Sequence, residues 1–218
     1  MGAERRRLPD ALVSASPTAE LLERLRSLPV ANVADAMDRL SAVDSAIRPV
    51  WVGATLVARA YTLLTRPGDN QVIHEALDRA GAGEVVVVNG FGDTSRALIG
   101  ELIAGRAVMK GVAGFVIDGA IRDVRAIEKL ALPVFARAVT PAGPYKHGPG
   151  AHQVPIALGG QSVAPGDVIV GDDDGVAVIP FARLEQVVRD AEAVRENEER
   201  KRESIGAWNL APASEDHK

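Results

Sequence analysis

Cysteine is absent from the 218-residue chain. That removes disulfides, thiolate nucleophiles and cysteine-based zinc sites together, and it is compatible with a reducing compartment. Aromatic residues are scarce at 4%, while alanine, valine and glycine are plentiful, a balance that favours an α/β layer fold. No stretch approaches the ~18 uninterrupted apolar residues of a membrane span, so a membrane is not an expected partner. No long basic run occurs and the net charge is −4, so nucleic acid is not an expected partner either. Arg5-Arg6-Arg7 stand near the start, but Pro9, Asp10, Ser14 and Ser16 interrupt any apolar core behind them, and an export signal is not expected. The expectation is a soluble, cytoplasmic protein.

Apolar residues make up 47% of the chain and charged residues 25%, enough for one good core. Residues 1–16 read as a poorly ordered arm, 17–205 as a single domain and 206–218 as a tail. Near the N-terminus, Leu21, Leu22, Leu25 and Leu28 share one helical face and Pro29 ends it. A second amphipathic helix is expected over 30–40, with Asn32, Asp35 and Asp38 on its wet face. Residues 51–65 alternate towards strand character. Asn70 opens a helix through residue 80 in which His74 reads as a hydrogen-bonded structural residue. Residues 84–88 are an intensely β-branched strand.

The segment 89–95 (NGFGDTS) reads as a turn leading to a helix. Its Gly-x-Gly lacks the third glycine of a dinucleotide-binding turn, and no ribose-binding acid follows, so that cofactor is rejected. Gly100 marks the entry to a helix running to Lys110. The first-turn amides of Glu101, Leu102 and Ile103 would lack partners there, which is a natural cradle for a carboxylate. Residues 115–117 suit a strand buried on both faces. Asp118-Gly119 is expected to break it, and Ile121, Val124, Ile127 and Leu130 then recur at helical spacing.

Arg122 and Asp123 therefore fall at a strand-to-helix junction. An arginine there can grip a carboxylate with two parallel hydrogen bonds, and the aspartate can hold a hard cation. Equally, Asp123 can cap the following helix while Arg122 is solvated.

Further along, 140–150 is a Pro/Gly-rich loop carrying Tyr145, Lys146 and His147. His147 and His152 lack metal-ligand spacing. A hairpin is expected over 154–163, and Asp172-Asp173-Asp174 form a tight turn rather than a calcium loop. Residues 181–205 read as one long charged helix with Leu184, Val187, Val188, Ala191 and Val194 buried. Its all-round charge beyond Arg195 suits either solvent or a neighbouring subunit.

Several segments in order resemble one family over residues 18–205, namely GDN--IHEAL (68–77), GEVVVVNGFGD (83–93), GELIA (100–104), GVAGFVIDGAIRDV (111–124) and PGDVIVGDDDGVAVIP (165–180). The set resembles the 4-hydroxy-4-methyl-2-oxoglutarate aldolases, class II pyruvate aldolases whose fold family also holds the ribonuclease regulator RraA. The family's signature is an acid, twenty residues, then Arg-Asp. Here Glu101 precedes residues 102–121 and Arg122-Asp123, with glutamate where the founding enzymes have aspartate.

The resemblance implies an α/β swivelling β/β/α-type sandwich, one domain with N-terminal helices and a long C-terminal helix. It implies homotrimers or homohexamers with sites between subunits. It also implies that Asp123 binds Mg²⁺ or Mn²⁺ largely through waters, and that Arg122 with the amides around Gly100, Glu101, Leu102 and Ile103 holds a small keto-acid. A further acid would come from the C-terminal helix of an adjacent subunit, Glu198 first and Glu199 next. The implied activity is metal-dependent cleavage of 4-hydroxy-2-oxo acids to pyruvate through an enolate, with oxaloacetate decarboxylation. The alternative, from another class, is a non-catalytic regulator that binds and inhibits a ribonuclease.

Overall fold

Three consecutive stretches with both faces apolar dictate the centre of the molecule, because strands of that kind are stable only when covered on each side. The structure, a computed structural model, describes residues 17–206. The chain opens with α1 (Pro17–Arg26), α2 (Val30–Asp35), β1 (Arg48–Pro49), β2 (Leu56–Thr65), α3 (Gln71–Ala76) and β3 (Glu84–Ile99). It continues with α4 (Glu101–Lys110), β4 (Gly114–Ile121), α5 (Val124–Lys129), β5 (Val134–Val139) and β6 (Gly150–His152). Last come β7 (Ile156–Leu158), β8 (Gln161–Val163), β9 (Val168–Asp172), β10 (Gly175–Ile179), a 3₁₀ turn over Phe181–Arg183 and α6 (Leu184–Ile205).

The main sheet runs β1-β5-β4-β3-β2-β9-β10, with β6 also pairing β2. The β2–β3, β3–β4 and β4–β5 pairs are parallel, whereas β9 joins β2 antiparallel. Side chains alternate between faces as the period of two requires. Val86, Val88, Phe115 and Ile117 meet α3, α4 and α5, while Val85, Val87 and Val116 meet the β7–β8 hairpin side. A third cluster joins α1, α2 and α6 to the outer face of β9 and β10. Every residue of β4 is buried, and β4 carries the candidate arginine at its end. The result is a mixed α/β single-domain fold with a long C-terminal helix.

Several boundaries differ from the expected ones for identifiable reasons. The segment 89–95 is no turn into a helix. It continues β3 as an irregular strand, with register shifts against β4 between Asn89 and Ile99. Asp118-Gly119 likewise lies inside β4, because Asp118 is held by Arg137 Nε at 2.6 Å and by the Gly159 amide at 3.0 Å. The first helical residue thereafter is Val124 rather than Ile121.

The second helix ends at Asp35, not at residue 40, and Asp38 and Arg39 follow in left-handed conformations (φ 58° and 63°). Asn32 is buried instead of facing water, since α2 is enclosed by α6 and the β9–β10 edge. Only Asp38 of the three expected polar positions is fully exposed. The third helix stops at Ala76. Val194 is only half-buried, so the buried stripe of α6 ends at Ala191.

The acidic turn is a set of caps: Asp172 accepts from the Val30 and Asp174 amides at 2.9 Å each, and Asp173 accepts from Gly53 at 2.8 Å. The expected N-terminal arm and the tail lie outside the described residues, apart from Gly206, which closes α6 at φ 67°. No helix among the described residues is long and apolar enough to cross a membrane.

Phe115 is fully buried on the face shared with α3, α4 and α5. Phe115→Ala is expected to lower unfolding stability by about 3–5 kcal/mol, measured as a reduced urea midpoint with an unchanged slope.

Candidate functional site

At the end of β3 the chain enters α4 through Gly100, and at the end of β4, the adjacent parallel strand, it enters α5 through Arg122 and Asp123. Parallel pairing thus brings two strand ends, 22 residues apart in sequence, side by side. Ile99 pairs with Ile121, and the Arg122 amide donates to the Ile99 carbonyl at 3.0 Å.

Asp123 then adopts φ 62°, the left-handed region that aspartate tolerates better than most residues. Its side chain does not cap α5. Instead Oδ2 accepts from the Glu101 amide at 3.1 Å and faces Arg122 Nε at 3.5 Å. The carboxylate therefore sits on the N-terminus of the neighbouring helix, where the dipole and a free N–H favour it. Gly100 makes this possible. A Cβ there would lie 2.3 Å from Asp123 Oδ2 and 3.0 Å from Arg122 Cγ, a contact that would force something to shift.

Around this junction lies a cleft of about 140 Å³. It brings together every expected residue from the two junctions, Gly100, Glu101, Leu102, Ile103, Arg122 and Asp123. One expectation changes. The Glu101 amide is occupied by Asp123, so the cradle for a ligand narrows to the Leu102 and Ile103 amides, which have no protein acceptor among the described residues. Glu198 is not in the cleft. It lies on α6, which packs against α1 and α2, and it pairs with Arg202 at 3.2 Å, while Glu199 faces Arg195 at 3.7 Å.

The opposite wall comes from residues that sequence reasoning did not assign to a site. Asn70, His74, Pro144 and Lys146 line it. Asn70 is buried and donates Nδ2 to the Leu98 carbonyl at 3.0 Å, which leaves its Oδ1 without a protein partner. His74 was expected to be structural and hydrogen-bonded. It is hydrogen-bonded, to Arg106 at 3.3 Å, but it also lines the cleft. Burial, then the Arg106 and Lys146 charges, push its pKa below the usual histidine value.

Lys146 stands on the loop 140–149, and that loop is immobilised. The Ala97 amide donates to the Ala142 carbonyl at 2.8 Å, Arg96 donates to the Gly143 carbonyl at 2.8 Å, and Tyr145 bonds Gly68 at 2.8 Å. The Arg96 guanidinium also lies 4.1 Å from the Tyr145 ring centroid.

Asp69 is the anchor. Fully buried, it accepts from the Gln71, His147 and Gly148 amides at 2.9, 3.0 and 2.6 Å. Burial alone would raise its pKa, but the three donors together outweigh that and hold it below the usual carboxylate range. In the sequence, Asp69, Asn70 and His74 stand in the GDN--IHEAL segment and Lys146 in a Pro/Gly loop, with nothing to show that the two meet.

The acids present suit a sparse, water-rich cation site and not a closed cage. Among the described residues no three His, Asp or Glu side chains cluster closely enough to hold a metal by themselves. Asp123 is about a third exposed, its Oδ1 carries no protein hydrogen bond, and Glu101 beside it is exposed. One or two carboxylates with the remaining positions filled by water is the arrangement that Mg²⁺ accepts. The cleft as a whole mixes Arg122 and Lys146 with two carboxylates and an apolar floor of Ala97, Leu98 and Ile99. Such a lining combines positive charge that attracts a small anion with one acidic edge.

The family described as RraA-like, Aldolase/RraA, matches residues 30–178. A Halalkalibacterium halodurans protein provisionally named 4-hydroxy-4-methyl-2-oxoglutarate aldolase is 39% identical over 186 residues, covering 85% of this chain and 89% of its own. Streptomyces coelicolor RraAS2, described as an unusual member of the RNase ES inhibitor RraA family, superposes with a TM-score of 0.76 at 28% identity. The match covers 85% of this chain and 98% of that one. The RNA-processing inhibitor RraA from Thermus thermophilis superposes with a TM-score of 0.64 at 32% identity, over 70% and 92% respectively.

Asp69→Asn keeps the shape and removes the charge that holds the Lys146 loop, and should lower stability at pH 7 by about 1–3 kcal/mol. Because the folded pKa lies below the unfolded one, the wild-type advantage is complete above roughly pH 4 and is lost as pH falls through the folded value. Urea denaturation of both proteins at pH 7 and pH 3 checks this, with the gap narrowing at the lower pH. Gly100→Ala should displace the Asp123 carboxylate, seen as faster hydrogen exchange at the Glu101 amide.

Proposed function

The chain belongs to the RraA-like family of aldolases and RraA proteins, and on that footing we propose that its cleft cleaves 4-hydroxy-2-oxo acids to pyruvate with the help of a divalent cation. The observation that carries the reading is the Gly100–Arg122–Asp123 contact. It places a fixed guanidinium, two free helix amides and a partly open carboxylate around one small cavity. The names of relatives such as the Halalkalibacterium halodurans protein support the same chemistry.

The ligand carboxylate docks on the Leu102 and Ile103 amides, where the helix terminus favours an anion. Arg122 faces the 2-oxo oxygen and counters the negative charge that develops there as the C3–C4 bond breaks. Asp123, with Glu101 beside it, would hold Mg²⁺ or Mn²⁺ through waters, and the bound ion supplies Lewis acidity towards the oxo acid. Glu101 takes the 4-hydroxyl proton through a water in this reading, so that a carbonyl product leaves and the electron pair remains on the pyruvate enolate. The proton that Glu101 took is returned through water to C3, which completes pyruvate and restores the carboxylate. Loss of CO₂ from oxaloacetate passes through the same enolate and uses the groups that bind the oxo acid and counter its charge; no hydroxyl proton is removed, and a proton from water completes C3. The apolar floor of Leu98 and Ile99 limits competing water.

The sites are completed between subunits of a trimer or hexamer, with Glu198 of a neighbouring copy as the added acid. Within one chain Glu198 is remote from the cleft, and α6 beyond Ala191 is charged and largely exposed, which suits that role.

The likeness to RraA structures supports a second reading, a regulator that binds a ribonuclease without chemistry. The two separate in one experiment. Pyruvate release from oxaloacetate and from 4-hydroxy-4-methyl-2-oxoglutarate is followed with Mg²⁺ and with EDTA, in wild type, Asp123→Ala and Arg122→Ala. Metal-dependent release that falls about 10²–10³-fold in either variant is expected. Rates equal to the uncatalysed background in wild type, with ribonuclease binding that survives EDTA, sink the enzyme in favour of the regulator.

A further inference from the structure

The imidazole of His74 is the one ionisable group of the cleft wall whose proton position follows from its partner alone. Its Nδ1 lies 3.3 Å from Arg106 Nη1. A guanidinium carries only donors and stays charged at any accessible pH. Nδ1 must therefore be the acceptor, which makes the ring neutral and puts its single proton on Nε2. Histidine tautomers are ordinarily a choice between two donor patterns. Here the partner permits one.

Arg106 is itself held. Its other terminal nitrogen faces Asp78 at 3.6 Å, and Lys110 bonds the same carboxylate at 3.1 Å. Asp78 follows α3, which bears His74, and Arg106 and Lys110 belong to α4, so the ion pairs tie the two cleft walls together. The other charged groups around His74 act in the same sense or face elsewhere. Lys146 approaches from the 140–149 loop as a second cation, and Glu75, the neighbour on α3, is turned to His152 at 3.1 Å and to Arg79 at 3.4 Å. Glu101 and Asp123 share the cleft, but Asp123 is committed to the Glu101 amide and Arg122. Burial and the two neighbouring cations disfavour a second proton on the ring.

We propose that Arg106 is a positioning residue that locks His74 as the neutral Nε2–H tautomer, so that His74 serves the cleft as a hydrogen-bond donor to an oxygen of the bound oxo acid and not as a base. The substrate contact rests on the aldolase reading; the lock does not. A neutral imidazole donates without bringing a proton that could be lost to the enolate, which suits a wall that must polarise an oxygen across a range of pH. It also leaves the uptake of the hydroxyl proton to a carboxylate.

The test is imidazole ¹⁵N–¹H correlation NMR of the full chain, free of metal and oxo acid, from pH 5 to 9. The four histidines of the sequence are told apart with His74→Gln. The expected His74 signal shows a proton on Nε2 and none on Nδ1, with a midpoint below the ordinary value of about 6.5. In Arg106→Met the midpoint rises and the tautomers mix. A wild-type midpoint near 6.5, a proton on Nδ1, or a spectrum unmoved by Arg106→Met overturns the lock. The wild-type spectrum decides this even where the variant fails to fold.

The donor role is read separately in metal-dependent pyruvate release. His74→Ala should lose about 10²-fold in kcat/KM, His74→Gln should recover most of it, and Arg106→Met should move the acid limb of the pH profile upward. Equal rates in His74→Ala and wild type overturn the donor role. An intact lock in a protein with no turnover at all overturns the aldolase reading, and the donor role falls with it.

Discussion

The candidate site depends on one contact between two neighbouring strand ends. The Asp123 carboxylate reaches across from the end of β4 to the first amide of α4, and it passes through the space that a side chain on residue 100 would fill. Asp123 is held there by its own left-handed backbone, by the Glu101 N–H and by the Arg122 guanidinium. These constraints hold the carboxylate and the guanidinium together at one cavity. Rigidity of this kind is what a small anion requires, since a charged group that must reorganise loses much of its value at the moment of binding or reaction.

Rigidity at the junction is inherited from the sheet. The 85–90 part of β3 and all of β4 are buried and run parallel, so close packing on both sides resists relative movement of the two strands. The irregular pairing after Asn89 lengthens β3 until its end meets that of β4 at Ile99 and Ile121. The opposite wall is fixed differently. The 140–149 loop has no regular structure of its own, and a buried carboxylate, a stacked arginine and several main-chain hydrogen bonds fasten it to β3 and to the turn before α3. One wall is held by apolar packing and the other by polar bonds. The polar wall responds to acid, because Asp69 must stay ionised to satisfy its donors.

Family membership and site geometry bear on different parts of the function. The match to the aldolase and RraA family covers most of the chain, and relatives with different printed descriptions share the fold. Fold by itself therefore does not choose between catalysis and regulation. The cleft bears on that choice, because Arg122, Asp123 and His74 line one cavity of about 140 Å³.

What the sequence by itself determined was local. The Val-rich run at 84–88 and the Phe115–Ile117 run required strands covered on both faces, Gly100 required a helix entry with free amides, and the charged run after Arg195 required an exposed helix end. Arg122 and Asp123 were legible as a junction because an apolar run met a helical period there. Only the tertiary structure decided that Asp123 serves α4 and not the helix it precedes, that Asn32 is buried, and that Asn70, His74 and Lys146 face the junction. Helix and strand periods are properties of neighbours in sequence. The meeting of residues 70, 74, 100, 122 and 146 follows from strand order and from one buried aspartate, and neither leaves a pattern along the chain.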